Sequence, residues 1–412
     1  MMIRSFFTLA LAGLVLASCA GAPPAQKPAP KQQAAAPQPP IISEAPAIAS
    51  RGVIPSEAPV VKVALMVPLS GESMGVGNAM LDAATMALHH AYGNAPSDAI
   101  KRRVIILPKD TGNTAADSAR AARQAIEQGA TIIVGPLFSQ SVSAIAPLAE
   151  QSGITMITFS NNQAVASDGV YTFGFLPEQQ VERMASFMFL KNIQRIAVLA
   201  PNDAYGQKVL DVLKAETSRR GIQTTPNELY APSPANIDAA VARLAAAYNG
   251  VTDERKFQAL FIADGGAQLK NVLASLKKTN LDLSKIRLIG TGQWDDPELL
   301  KLPEMRGAWF PSAPPQPYQN FERQFETIYG YKPIRLASLA YDAMTLVSTL
   351  AMSSEDGHIN RAALTDPQGH LGGANSLYRL MPDGTSQRPL AVLEITADGF
   401  MVIDPAKKSF DR

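Results

Sequence analysis

Residues 132–162 read IIVGPLFSQSVSAIAPLAEQSGITMITFSNN. An apolar run, Ile132 to Val134, stops at Gly135-Pro136; a helical stretch follows; a second apolar run, Ile154 to Phe159, stops at Ser160-Asn161-Asn162. Strand, helix and strand in that order and at that spacing make a crossover unit, which is how parallel strands are joined. A parallel sheet with helices on its faces is therefore expected around this segment.

The same alternation continues on both sides. VKVALMVPL (61–69) and VIILPKDT (104–111) precede it, and RIAVLAP (195–201), FQALFIAD (257–264) and IRLIGTG (286–292) follow. Between them lie helical patterns with apolar residues three or four apart, such as Met80, Ala84, Ala87, Leu88 and Ala91, or Ala119, Ala122, Ala125 and Ile126 behind a start signal at Asn113/Thr114. Residues 60–404 are more than one hydrophobic core normally spans, and two αβ sets of similar size meet near Phe173–Glu178. The expected fold class is α/β, with two doubly wound parallel-sheet lobes, a cleft and hinge crossovers. Lobe 1 is placed at about 60–176 and 293–350, lobe 2 at about 177–292 and 351–404, with 405–412 as a tail.

Ligands of open α/β sheets bind beyond the carboxyl ends of the strands. The residues found there are small and polar: Ser70-Gly71-Glu72-Ser73, Asp110-Thr111-Gly112, Ser139-Gln140-Ser141, Ser160-Asn161-Asn162, Asn202 to Gly206, and Asp264-Gly265-Gly266.

In this order the motifs resemble the type I periplasmic binding proteins of the leucine/isoleucine/valine-binding class. The resemblance is carried by PLSGESMGVGNAMLDAATMAL (68–88), residues 132–162, APNDAYGQKV (200–209) and the late helix ASLAYDAMTLVSTLA (337–351) before a terminal β-hairpin. GPLFSQSVSAIAPLA (135–149) and FGFLPEQQVERM (173–184) look more narrowly like the penicillin-binding protein activators, outer-membrane lipoproteins that stimulate peptidoglycan synthases.

The resemblance implies a ligand cleft lined by Ser70, Ser139, Gln140, Ser141, Ser160, Asn161, Asn162, Tyr205 and Asp264. At Ser139 a strand ends and a helix begins, so free N–H groups and the helix dipole favour an anion; Ser139 either grips a carboxylate there or caps the helix. Asn162 stands where amino-acid binders have a threonine near the ammonium group, and it is equally a turn former. Tyr205 matches a tyrosine that closes over the ligand from the second lobe, or packs a helix start. Asp264 either replaces an acidic ammonium contact or serves as an N-cap. Val76 stands where several relatives have an aromatic wall. These departures argue against an ordinary branched-chain amino acid as the ligand.

Enzymatic signatures are missing from the sequence: no phosphate-binding loop, no Gly-x-Ser-x-Gly elbow, no spaced histidine partners for a metal. His89, His90, His358 and His370 read as solvated or packed side chains, and neither catalysis nor a cofactor or metal is expected. With 37 basic and 36 acidic residues, no electrostatic footprint for nucleic acid appears.

The single cysteine, Cys19, sits in Leu16-Ala17-Ser18-Cys19, behind Arg4 and an apolar run too short to span a bilayer. This layout resembles a lipoprotein signal peptide (1–18) with Cys19 as the lipidated residue. Residues 19–59 are rich in Ala, Pro and Gln, with ten of the 31 prolines between 20 and 59, and read as an extended tether. The expectation is a non-catalytic lipoprotein of the cell envelope, on the outer membrane and facing the periplasm. Its partner is expected to be a class A penicillin-binding protein, with an amino-acid-like small molecule as a further ligand. The alternative is the solute-binding component of an ABC importer for amino acids, small amides or peptides.

Overall fold

The computed structural model of the chain describes residues 58–96 and 99–410. The signal peptide, Cys19, all but the last two residues of the tether, and the end of the tail lie outside the described residues.

The first sheet is wholly parallel, in the order β2-β1-β3-β4-β5. Its strands are β1 (Val60–Val67), β2 (Arg103–Asp110), β3 (Ile132–Val134), β4 (Thr155–Thr158) and β5 (Val170–Thr172), and its connections carry α1 (Met74–Asn94), α2 (Ala115–Glu127) and α3 (Ser139–Gln151). A strand alternates its side chains between faces, so a sheet covered on both sides needs a nearly unbroken apolar strand. β1 meets this: Val61, Val63, Leu65 and Val67 enter one core cluster while Ala64 and Met66 enter another beneath α2 and α3. Thr114 caps α2 by accepting from Asp117 N, as the start signal predicts.

The second sheet follows the crossover at 173–176. It is built from β6 (Arg195–Pro201), β7 (Gln223–Tyr230), β8 (Ala259–Ile262), β9 (Arg287–Gly290) and β10 (Trp309–Ser312), with α4 (Pro177–Leu190), α5 (Ala204–Arg219), α6 (Pro234–Asn249) and α7 (Gly266–Lys277) on its faces. The chain then returns to the first lobe with α8 (Pro315–Tyr329), α9 (Ala337–Ser353) and a small antiparallel sheet, β11 (His370–Gly372), β12 (Ser376–Leu380) and β13 (Ser386–Gln387). A last crossing at 388–390 leads to β14 (Ala391–Ile395) and β15 (Phe400–Asp404), which extend the second sheet antiparallel beside β10, in the order β15-β14-β10-β9-β8-β6-β7.

Two of the expected lobe limits are corrected by this topology. β10 pairs with β9 and β14, so residues 293–312 belong to lobe 2, whereas Ile359, Leu364, Tyr378 and Leu380 pack into the core of lobe 1, so 351–387 belong there. β10 is only Trp-Phe-Pro-Ser, with no long apolar run to announce a strand. The side chains of β12 are claimed by α9, which shares the first-lobe core with α1.

Candidate functional site

Each sheet directs its strand carboxyl ends toward the junction of the lobes. On the first lobe, Gly135 N donates to Ile157 O at 2.7 Å and Phe159 N to Pro136 O at 2.9 Å, which holds the turns after β3 and β4 side by side. Gly135 has φ +101°, and a Cβ there would lie 2.1 Å from the Met66 carbonyl oxygen, so no other residue fits. Beyond it α3 starts at Ser139, with Phe138 in the cap position and no side chain capping the first turn. Ser139 is therefore not the cap. Its hydroxyl has no partner among the described residues, and the first-turn N–H groups lack intrahelical acceptors.

Other expected residues are engaged within their own lobe. Ser141 is buried and accepts from Ser118 Oγ at 2.8 Å, which points it at α2 and away from the turn. Gln140 is exposed. Ser70 hydrogen-bonds Asp110, which also accepts from Leu69 N at 2.8 Å and Gly112 N at 2.9 Å. Partial burial pushes the Asp110 carboxyl up, but these hydrogen bonds outweigh it and hold the group below the usual aspartate value. Ser160 Oγ accepts from Asn162 N at 3.1 Å, and Asn162 Oδ1 accepts from Ala164 N at 3.1 Å, capping a short 3-10 turn at Gln163–Val165. Asn162 is thus used by its own turn, and Asn161 is exposed.

On the second lobe, Tyr205 donates to Thr291 Oγ1 at 3.0 Å, and burial pushes its phenol above the ordinary value. Gly206 lies against the Pro201 carbonyl, where a Cβ would come within 1.9 Å, so the Tyr-Gly pair also packs the start of α5 onto β6. Asp264 accepts from Tyr230 Oη at 2.7 Å and from Gly265 N at 2.8 Å, while its carbonyl takes Trp294 Nε1 at 2.8 Å. The cap of α7 is Gly265, so Asp264 is not the N-cap. No hydrogen bond among the described residues joins Ser139, Ser160 or Asn162 to Tyr205 or Asp264.

A cluster that the sequence reading missed occupies the junction itself. Arg335, just before α9, donates to Asp295 of the second lobe at 2.8 Å and to Asn375 Oδ1 at 2.7 Å. Its guanidinium lies 4.0 Å from the Tyr318 ring centre and 5.1 Å from that of Phe175. Asp295 accepts in addition from Ser312 Oγ at 2.6 Å. Behind it Arg388 stacks on Phe173, Phe175 and Tyr378 at 5.0, 5.6 and 5.3 Å. Asp342 of α9, fully buried, accepts from Ala374 N, Asn375 N and Asn375 Nδ2 at 2.8–2.9 Å. Burial pushes Asp342 upward, opposed by the Arg388 charge and those hydrogen bonds. The signal was present in the sequence: an aspartate in the middle of the apolar run ASLAYDAMTLV is a buried polar group that requires partners.

With this architecture in view, a family model for periplasmic binding proteins matches residues 60–399. The chain belongs to the periplasmic binding protein family. Its fold is that of type I binding proteins: an ABC transporter substrate-binding protein from Sphaerobacter thermophilus superposes with a TM-score of 0.72 at 18% identity, over 85% of this chain and 99% of that one. An uncharacterized protein of Rickettsia prowazekii is 27% identical over 238 residues, 57% of this chain and 61% of that protein. The penicillin-binding protein activator LpoA of Photobacterium profundum is 29% identical over 164 residues, 37% of this chain and 24% of that protein. The chain thus spans less than two thirds of the length of these two relatives. Family members are binding proteins. Among the described residues no group of three or more His, Cys, Asp or Glu could hold a metal, and no helix is long and apolar enough to cross a membrane. His90 Nδ1 pairs with Tyr341 Oη at 2.7 Å, and His370 Nε2 with the Leu364 carbonyl at 2.9 Å.

Proposed function

We propose that this periplasmic binding protein is a non-catalytic, lipid-anchored protein of the cell envelope that regulates peptidoglycan synthesis by contacting a class A penicillin-binding protein. One observation carries the reading: the two residues expected near an amino acid's ammonium are engaged by the protein itself, Asp264 by Tyr230 and Asn162 by its own turn, and Tyr205, expected to close over the ligand, is engaged by Thr291. A cleft whose ammonium contacts are already partly engaged is less suited to amino-acid delivery, while the two-lobed surface remains available to a protein. The partial similarity to LpoA supports the same direction. Lipidation of Cys19 on the outer membrane would place the domain in the periplasm at the end of the Pro/Ala/Gln tether. The test is co-purification of the full chain with each class A penicillin-binding protein of its host, followed by a glycan polymerisation assay. Binding with stimulation is expected; failure to bind any of them overturns the proposal.

A second reading, the solute-binding component of an ABC importer for amino acids, small amides or peptides, is favoured by the first turn of α3. Its N–H groups and the Ser139 hydroxyl are left for a carboxylate. A cargo at 100 times its Kd raises stability by about 2.7 kcal/mol, so a thermal-shift panel decides this reading.

A further inference from the structure

A second concave site lined by charged groups lies away from the lobe junction. A cavity of about 360 Å3 opens at the opposite end of the second sheet, between the end of α4 and the amino ends of β9 and β10. Its volume is within the range of small-ligand sites. Four cations line it, Lys191, Lys285, Arg287 and Arg306, against one acid, Glu304. Glu304 is already neutralised by Lys277 at 2.7 Å.

The cations are unequally compensated. Arg287 is fixed: its guanidinium lies 4.6 Å from the Trp309 ring centre, donates to the Gly307 carbonyl, and is 3.8 Å from Glu394, which also accepts from Trp309 Nε1 at 2.9 Å. Lys285 has a loose, exposed pair with Asp282 at 3.4 Å. Lys191 rests over the Phe187 ring at 5.2 Å, and neither it nor Arg306 has a carboxylate partner among the described residues. Like charges converging on a concave surface repel one another unless an anion joins them, and a rigid guanidinium fork is matched to oxyanions.

We propose that this cavity is a binding site for a compact, multiply charged oxyanion, a phosphate or a di- or tricarboxylate. Lys191, Lys285 and Arg306 supply charge at its rim, and the Arg287–Trp309 stack forms its base. The site is separate from the lobe junction and does not depend on the function proposed above.

The test is calorimetric titration of the full chain with pyrophosphate and with citrate, at constant ionic strength set by sodium chloride. Tryptophan emission is followed in parallel. Trp309 lines the cavity, while Trp294, the other tryptophan, is fully buried and bonded to the Asp264 carbonyl. Saturable binding of either probe with a change in emission is expected, and the tighter probe assigns phosphate or carboxylate. The double variant Lys191→Glu/Arg306→Glu changes two exposed side chains and should weaken binding at least tenfold while melting normally. Ser139→Asp, which places a like charge at the first turn of α3, should leave it unchanged. No saturable binding, an unaffected double variant, or loss of binding in Ser139→Asp each overturns the proposal.

Discussion

Tyr205 gives its phenolic hydrogen to Thr291, whose side chain is fully buried. Replacing the phenol by phenyl leaves a buried hydroxyl short of a partner, so Tyr205→Phe should cost about 1 kcal/mol in urea denaturation. Gly135→Ala should cost more, above about 2 kcal/mol, because its Cβ meets the Met66 carbonyl and its φ is positive. Asp110 gives a pH signature. Its folded pKa is depressed, so its contribution to stability is present above the ordinary aspartate value and lost as pH falls through the lower one. Thermal melts below about pH 4 should therefore show a smaller acid loss in Asp110→Asn than in the parent. At this scale the sequence was informative about position but not about partner. Ser139, Asn162, Tyr205 and Asp264 all follow strands as expected, but short side chains such as those of Ser160 and Asn162 pair with the nearest backbone N–H, and that choice depends on local dihedrals no motif encodes.

α9 packs its apolar side chains on α1 and brings Asp342 into the same core. Removing that carboxylate leaves Arg388 without its counter-charge and the N–H groups of Ala374 and Asn375 without an acceptor. Asp342→Ala should therefore lose about 3–5 kcal/mol, measured by denaturant unfolding. Elements with a strong pattern were legible: α1 and α2 carry apolar residues three or four apart, and β1, β3 and β4 are apolar runs buried along nearly their whole length. β10 was not, because four residues bounded by Gly307 and Pro314 show no period. β11–β13 were not either, because a three-stranded antiparallel sheet packed on one side offers only isolated apolar residues, Leu377, Tyr378 and Leu380, in a polar stretch.

Across the whole molecule, Arg335 and Asp295 join the lobes through a pair with little exposed surface on either side chain. If this pair restrains the hinge, Asp295→Asn should speed amide exchange at the crossings 173–176, 313–314 and 388–390, by about tenfold for a loss of roughly 1.4 kcal/mol. Unchanged exchange there would place the restraint elsewhere, in the Arg388 stack. The two-lobed plan was readable from length and from the repetition of strand and helix, whereas the lobe limits were not, because the return crossings, Ala313-Pro314 and Arg388-Pro389-Leu390, are only two and three residues long.

Those three crossings also set an order of events during synthesis. The five strands of the first sheet are all made by Thr172, yet α9, which shares with α1 the core that Val61, Val63, Leu65 and Val67 enter, begins only at Ala337. Until α9 is made, that face of the sheet is covered by α1 alone. A nascent chain cannot close this core early; contacts this distant in sequence form late and leave apolar surface exposed meanwhile. A chain truncated before Ala337 should accordingly aggregate, whereas one ending after Asp404 should refold from urea.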